Sequence, residues 1–335
     1  MKSLPRDLLE RELIASLEDG WKLDVAQARY APVGFGSYHW DVTDAAGGRY
    51  FVTVDDLDAK AWLGDDRDSA FDGLRAAFDT ALALRRDAGL AFVVAPIATP
   101  GGESVRRVGP RHSAALFPFV DASGRSGMEH TAAVRADLVR VLADLHGATG
   151  AAGACARRRH LELPNRARLE AALGDQDETW TGGPFSGPVR DLLAVHAAQL
   201  HERLGAFDRL AREVAAADGD FVITHGEPHA GNVLLGAGQV FLVDWDTVGM
   251  APPERDLWLV GGGAGELALY TEITGRPVDP SAIELYRQRW ALDDIAAFTT
   301  VLRSHHVHTA DTEKAWNGLC LYVLGGMTPV RSQST

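Results

Sequence analysis

The stretch ITHGEPHAGNVLL, Ile223 to Leu235, sets two histidines, a carboxylate, a proline, two glycines and an asparagine between apolar flanks that read as strand. Gly226, Pro228 and Gly231 forbid a regular helix there, so the polar side chains must sit on an irregular loop that presents them. On such a loop Glu227 can accept a proton. Asn232, five positions on, can offer its amide oxygen to a hard cation. The next strand-like run, QVFLVDWD, leads into Asp244, whose carboxylate suits the same ion, because Mg²⁺ takes few protein oxygens and completes its shell with phosphate oxygens and water. A base, a neutral oxygen ligand and an anionic one are the minimum set for phosphoryl transfer. His225 and His229 flank Glu227, but Gly226 and Pro228 remove the helix on which histidines four apart chelate zinc.

A second stretch, PVGFGSYHW, puts Gly34, Gly36 and Ser37 at the tip of a hairpin, where missing side chains let backbone N–H groups approach a phosphate. An ordinary glycine-rich turn has the same text. Lysine is scarce, with only Lys2, Lys22, Lys60 and Lys314 in the chain.

The elements around these stretches are of two textures. A helix with Leu8, Leu9, Leu13, Ile14 and Leu17 on one face opens the chain and is expected to stop at Gly20. Three antiparallel strands follow, then a helix from about Ser69 to Ala88, then two or three more strands up to Val120. After that the pattern is helical: Val134, Leu138, Val141, Leu142 and Leu145 share one face, GPVRDLLAVHAAQLHERLGAFDRLAREVAA repeats the pattern, and it resumes from Pro280 to Leu324. The expected fold is α+β, a β-rich N-terminal lobe over residues 1–119 and a mostly helical C-terminal lobe over 120–330, with a disordered tail RSQST.

Composition bounds the function. The 335 residues, 46% hydrophobic and 24% charged, suffice for two lobes with full cores. A formal net charge of −13 disfavours nucleic acid as a partner and favours a cationic ligand where carboxylates line a cleft. Cys155 and Cys320 give no disulfide framework, no secretory signal opens the chain and no run spans a bilayer. The expected protein is cytoplasmic, without a membrane partner.

THGEPHAGNVLL followed by LVDWDTVGMAPPERDLWLV resembles the catalytic and metal-binding segments of the aminoglycoside phosphotransferase and choline kinase family, which has a protein-kinase-like fold. Within it, the second segment is most similar to spectinomycin-type phosphotransferases. The resemblance follows element order over nearly the whole chain, with its specific text in about two dozen residues. It implies that Asn232 and Asp244 bind Mg²⁺, that Glu227 stands where the family keeps a catalytic aspartate, that His225 orders the loop and that Asp256 is structural. It also implies a nucleotide, ATP or GTP, under Gly34, Gly36 and Ser37. The base would meet the segment joining the lobes, ALFPFVD, where Pro118 has no N–H and leaves the Phe117 carbonyl and the Phe119 N–H.

Two positions depart from the family. Glu227 is one methylene longer than aspartate, which moves its carboxylate by about 1.5 Å. Thr53 stands where the strand lysine that grips the α- and β-phosphates belongs, and the following helix offers Asp72 and Asp79 but no glutamate to pair with it. Lys60 either folds back to the phosphates in its place or is solvated. The expected substrate is a small hydroxylated antibiotic of the aminoglycoside or aminocyclitol kind, with Asp246, Glu266 and Asp293 facing its ammonium groups. A choline, homoserine or sugar kinase and a catalytically silent kinase-like binding protein are the alternatives. Trp245 either faces the acceptor or belongs to the core.

Overall fold

The computed structural model describes residues 1–5, 7–122, 130–217, 219–236, 238–260 and 263–325. In chain order the elements are α1 (Glu10–Trp21), β1 (Val25–Tyr30), β2 (Ser37–Asp44), β3 (Arg49–Asp56), α2 (Arg67–Arg86), β4 (Arg106–Val108), β5 (His112–Pro118), α3 (Ala132–Gly147), α4 (Thr149–Ala152), α5 (Arg166–Gly174) and α6 (Ser186–Ala216). They continue with β6 (Val222–Thr224), β7 (Val233–Gly236), β8 (Gln239–Leu242), β9 (Gly249–Ala251), α7 (Glu254–Leu257), α8 (Ala264–Thr274), α9 (Pro280–Arg303) and α10 (Ala310–Leu324). The fold is α+β, with the strands of the large sheet in the N-terminal region and the longest helices in the C-terminal region. Among the described residues no helix is long and apolar enough to cross a membrane.

Five strands form one antiparallel sheet in the order β1-β2-β3-β5-β4. Alternating Trp40 and Val42 on β2, and Val52 and Val54 on β3, turn one face to a core completed by Leu13, Leu17 and Trp21 of α1. The opposite face of β2 and β3 is left for Ser37, His39, Thr53 and Asp55, which the register pairs Ser37 with Asp55 and His39 with Thr53. The strand alternation therefore separates core from chemistry. Gly20 does not end α1: it is buried against the Arg106 side chain, and the helix stops at Lys22, which takes the left-handed conformation at φ 59°.

The chain packs as two compact units. The first comprises residues 1–159 and 220–278, and the second 160–219 and 279–335. Within the first unit Val93 bridges to Leu242 of β8 and the Val94 N–H donates to the Leu242 carbonyl at 3.1 Å. The second unit is helical, and its core joins Leu193, Leu200, Leu204 and Phe207 of α6 to Leu285, Leu292 and Ile295 of α9 and Leu319 and Tyr322 of α10. The sequence reading missed α5 and the short β9. The tail RSQST lies outside the described residues.

Candidate active site

The loop between β6 and β7 is built around one buried carboxylate. Asp256, at 0% exposure on α7, accepts the backbone N–H of His225 at 2.8 Å and of Gly226 at 2.6 Å. His146 of α3 places Nε2 3.1 Å from Asp256 Oδ2 and Nδ1 2.8 Å from the Tyr270 hydroxyl. Both contacts are satisfied when the proton sits on Nε2 and the tyrosine donates to Nδ1. Burial would raise the Asp256 pKa, but the hydrogen bond from His146 and the nearby Arg255 guanidinium hold it below the ordinary carboxylate range.

His225 is fully buried and fixes the loop from the other side. Its Nε2–H donates to the Val243 carbonyl at 2.9 Å, and its Nδ1 accepts the Glu227 N–H at 3.2 Å. Burial lowers its pKa, in keeping with this neutral tautomer. Gly226 sits at φ +99°, and a β-carbon there would lie 2.2 Å from the guanidinium of Arg255, which is anchored on Thr224 Oγ1 and the Thr247 carbonyl. With the backbone held at 225 and 226, the Glu227 side chain projects partly exposed, its Oε2 4.0 Å from His229 Nε2.

The β7–β8 hairpin joins the chain segments that carry the two expected cation ligands. Val233 pairs with Leu242, and the Val243 N–H donates to the Asn232 carbonyl at 3.0 Å, so Asn232 and Asp244 flank the open end of the hairpin. The Asn232 Nδ2 donates to the Glu227 carbonyl at 3.0 Å, which leaves Oδ1 as the group available to a cation. Asp244 takes a left-handed conformation at φ 67°. The residue is exposed at the surface, while the protein packed around its carboxyl, with the neighbouring Asp246 and Asp55, pushes its pKa up to about 7 against the pull of Lys60.

Lys60 is not solvated. At 2% exposure its Nζ lies 2.6 Å from Asp246 Oδ2, 2.8 Å from Asp55 Oδ1, 3.0 Å from Ser37 Oγ and 4.9 Å from the Trp62 ring centroid. Desolvation works against its charge, but Asp246, Asp55 and Asp244 outweigh it and raise its pKa above the ordinary lysine range. Three carboxylates thus face one ammonium, an excess of negative charge that suits a divalent cation. Among the described residues no three His, Cys, Asp or Glu side chains form a ready cage. A shell completed by phosphate oxygens is the arrangement Mg²⁺ favours.

The remaining expected residues fall as follows. Gly34 and Gly36 have φ of +71° and +92°, conformations that need glycine, at the turn joining β1 to β2. Phe117 lies in β5 opposite Phe51, and the Phe119 N–H donates over 3.4 Å to the Arg49 carbonyl. Asp246 is committed to Lys60, Glu266 to Arg135 at 2.7 Å, and Asp293, in the second unit, lies 3.3 Å from Arg289. Each of the three acids expected to meet an acceptor ammonium therefore has a protein cation already. Trp245 belongs to the core, fully buried, with its indole N–H on the Leu242 carbonyl and its ring on His225. Sequence reading missed Asp55, His146 and Tyr270. Asp55 was readable only as the end of a strand, and the other two reach the site through tertiary packing alone.

A family model described as the phosphotransferase enzyme family matches residues 28–299. The chain belongs to that family. The phosphotransferase is a small-molecule kinase, as its sequence resemblance implied. Its fold is similar to that of a spectinomycin phosphotransferase solved with ADP and spectinomycin, at TM-score 0.71 and 19% identity over 97% of this chain and 96% of the other. An amicoumacin kinase solved with AMP-PNP and Ca²⁺ is similar at TM-score 0.55 and 13% identity over 96% of each chain. The choline kinase of Streptococcus pneumoniae is similar at TM-score 0.53 and 13% identity over 93% of this chain and 98% of the other. These likenesses support the kinase-like fold. No curated protein matches the sequence.

Proposed function

We propose that this phosphotransferase moves the γ-phosphoryl group of ATP or GTP to a hydroxyl of a small antibiotic of the aminocyclitol or aminoglycoside kind, and so inactivates it. The observation that supports the reading is the β7–β8 hairpin, where Val243, the residue before Asp244, hydrogen-bonds to Asn232 next to the loop that carries Glu227. Likeness to the spectinomycin enzyme and the net charge of −13 support an aminated, hydroxylated acceptor.

Glu227 orients the acceptor hydroxyl and takes its proton late in the transfer. Its backbone is fixed through His225, Gly226 and Asp256, so the point from which the side chain projects is set by packed groups. Asn232 Oδ1 and the Asp244 carboxylate would hold Mg²⁺, which would neutralise charge on the phosphates when bound. Lys60, held by Asp246, Asp55 and Ser37, draws the phosphates by its charge from beneath the Gly34–Gly36 turn, whose backbone N–H groups close over them. Phe117 and Phe119 offer backbone groups to the base, the long bond of the Phe119 N–H being one that a base displaces.

The deciding experiment incubates the purified protein with Mg²⁺, ATP or GTP and a panel of antibiotics, choline, homoserine and sugars, and looks by mass for one added phosphoryl group. A phosphorylated aminocyclitol or aminoglycoside is the expected product. Phosphorylation of a metabolite alone would move the acceptor class, and nucleotide binding with no product for any acceptor would make the protein a silent relative.

A further inference from the structure

The sheet face that holds Thr53 carries a charge pair of its own. Side chains alternate along a strand, so Thr53 and Asp55 project from one face of β3, opposite His39 and Ser37 of β2. Thr53 Oγ1 lies 3.3 Å from His39 Nδ1, and Ser37 Oγ donates to Asp55 Oδ1 at 2.6 Å. After β3 the chain makes the 3₁₀ turn Leu57–Ala59 and returns, placing Lys60 Nζ on that same Asp55 oxygen at 2.8 Å. An ammonium is therefore attached to this face one strand repeat, about 6.7 Å, from the level of Thr53. The acids of α2 do not serve as its partner: Asp72 pairs with Arg75 at 3.0 Å and Asp79 accepts from Ser104 Oγ at 2.6 Å.

Asp55 is 1% exposed, and its Oδ2 has no hydrogen-bond partner among the described residues. A dry carboxylate with one bare oxygen is costly to fold, and such a group calls for a reason. The reason lies in the geometry of Lys60. Asp246 alone would draw the ammonium toward the 244–246 segment; Asp55 holds it from the other side, at the base of the glycine turn, where Ser37 shares it.

We infer that Asp55 is a positioning residue for phosphoryl transfer, which rebuilds within β3 the lysine–acid pair lost at Thr53 and keeps Lys60 where nucleotide phosphates arrive. The inference rests on the proposed phosphate-gripping role of Lys60. It adds that the acid of the pair comes from the same strand as the missing lysine, two residues on, rather than from a helix.

The test measures dissociation of a fluorescent ADP analogue, with Mg²⁺ present, together with nucleotide KM, kcat and thermal unfolding, for the full-length protein and its variants D55N, D55E, K60M and T53K/K60M. D55N keeps the shape and loses the charge. It is expected to weaken ADP binding and raise KM by about tenfold, the scale on which orienting partners act, with a smaller change in kcat. D55E recovers part of the loss. The double variant returns a lysine to the strand beside Asp55 and is expected to bind ADP more tightly than K60M. If D55N binds ADP like the wild type while K60M does not, Asp55 has no positioning role and Lys60 keeps its own. If D55N loses binding only in step with thermal stability, and T53K/K60M recovers nothing over K60M, the pair serves the fold alone and the inference fails. A wild-type protein that binds no nucleotide fails the proposed function itself, a result distinct from either.

Discussion

Lys60 and Asp246 are 186 residues apart in sequence and 2.6 Å apart in space, with side chains 2% and 10% exposed. Breaking a buried pair by removing one partner typically costs about 3–5 kcal/mol, because the other charge stays behind in a dry place. The two partners are not equivalent here. Loss of Lys60 leaves Asp55, Asp244 and Asp246 facing one another, whereas loss of Asp246 leaves the ammonium with Asp55. Lys60→Met is therefore expected to destabilise by the upper part of that range and Asp246→Asn by less, as read from urea unfolding at neutral pH. Equal or reversed losses would contradict the charge balance described for the cluster.

Glu227 gives a prediction about length. Glu227→Gln removes the proton acceptor and is expected to lower kcat by about 10²–10⁴ with nucleotide KM nearly unchanged. Glu227→Asp keeps the acid and restores the family's residue type, but it draws the carboxylate back by about 1.5 Å on a backbone held by His225, Gly226 and Asp256. A fall in kcat of about a hundredfold is expected. An aspartate variant as fast as the wild type would show that the loop readily absorbs the missing methylene.

Gly226 is a test of the scaffold. An added β-carbon meets both a φ of +99° and the Arg255 guanidinium at 2.2 Å. Gly226→Ala is expected to cost about 2 kcal/mol or more and to lower turnover well beyond the loss of folded protein. Thermal unfolding and kcat on the soluble fraction measure the two effects. Full activity in the alanine variant would mean that the close approach of Arg255 is not needed.

Asp294, in α9 of the second unit, gives a pH dependence away from the cation ligands. Burial, with Asp293 adding to it, pushes its pKa from 3.8 up to about 7 against the Tyr322 hydroxyl and Lys314. Between those values the folded chain keeps a proton that the unfolded chain has released, so this group's contribution to stability falls as pH rises through that window and is least favourable above about 7. Asp294→Asn removes the dependence. The variant's stability relative to wild type should therefore improve from about pH 5 to about pH 8 in denaturant titrations, and a constant difference would disprove the assignment.

Much of this was legible in the sequence, and the failures have physical causes. The Ile223–Leu235 loop and the run to Asp246 were readable because breakers and polar groups interrupt apolar text, and the structure joins the two segments through the backbone of Asn232 and Val243. The long helices carried their period over many residues. By contrast β9 has three residues, too few to alternate. Gly20 read as a stop, but a glycine also serves where a neighbouring side chain crosses a helix, as Arg106 does there. Lys60 was visible as a lysine and invisible as a buried one, because a 3₁₀ turn has no periodicity to show where its exit points. Its partners come from a strand end and from a segment beyond residue 240. Pairing over that separation leaves no local trace.

The first 119 residues are consequently no interchangeable module. Severed from the rest of the first unit, they would strand Lys60 without Asp246 and strip Phe92 and Val94 of the backbone partner they share in Leu242. A chimera that grafts this sheet onto a relative must carry residues 220–260 with it, or it inherits an ammonium left with Asp55 alone.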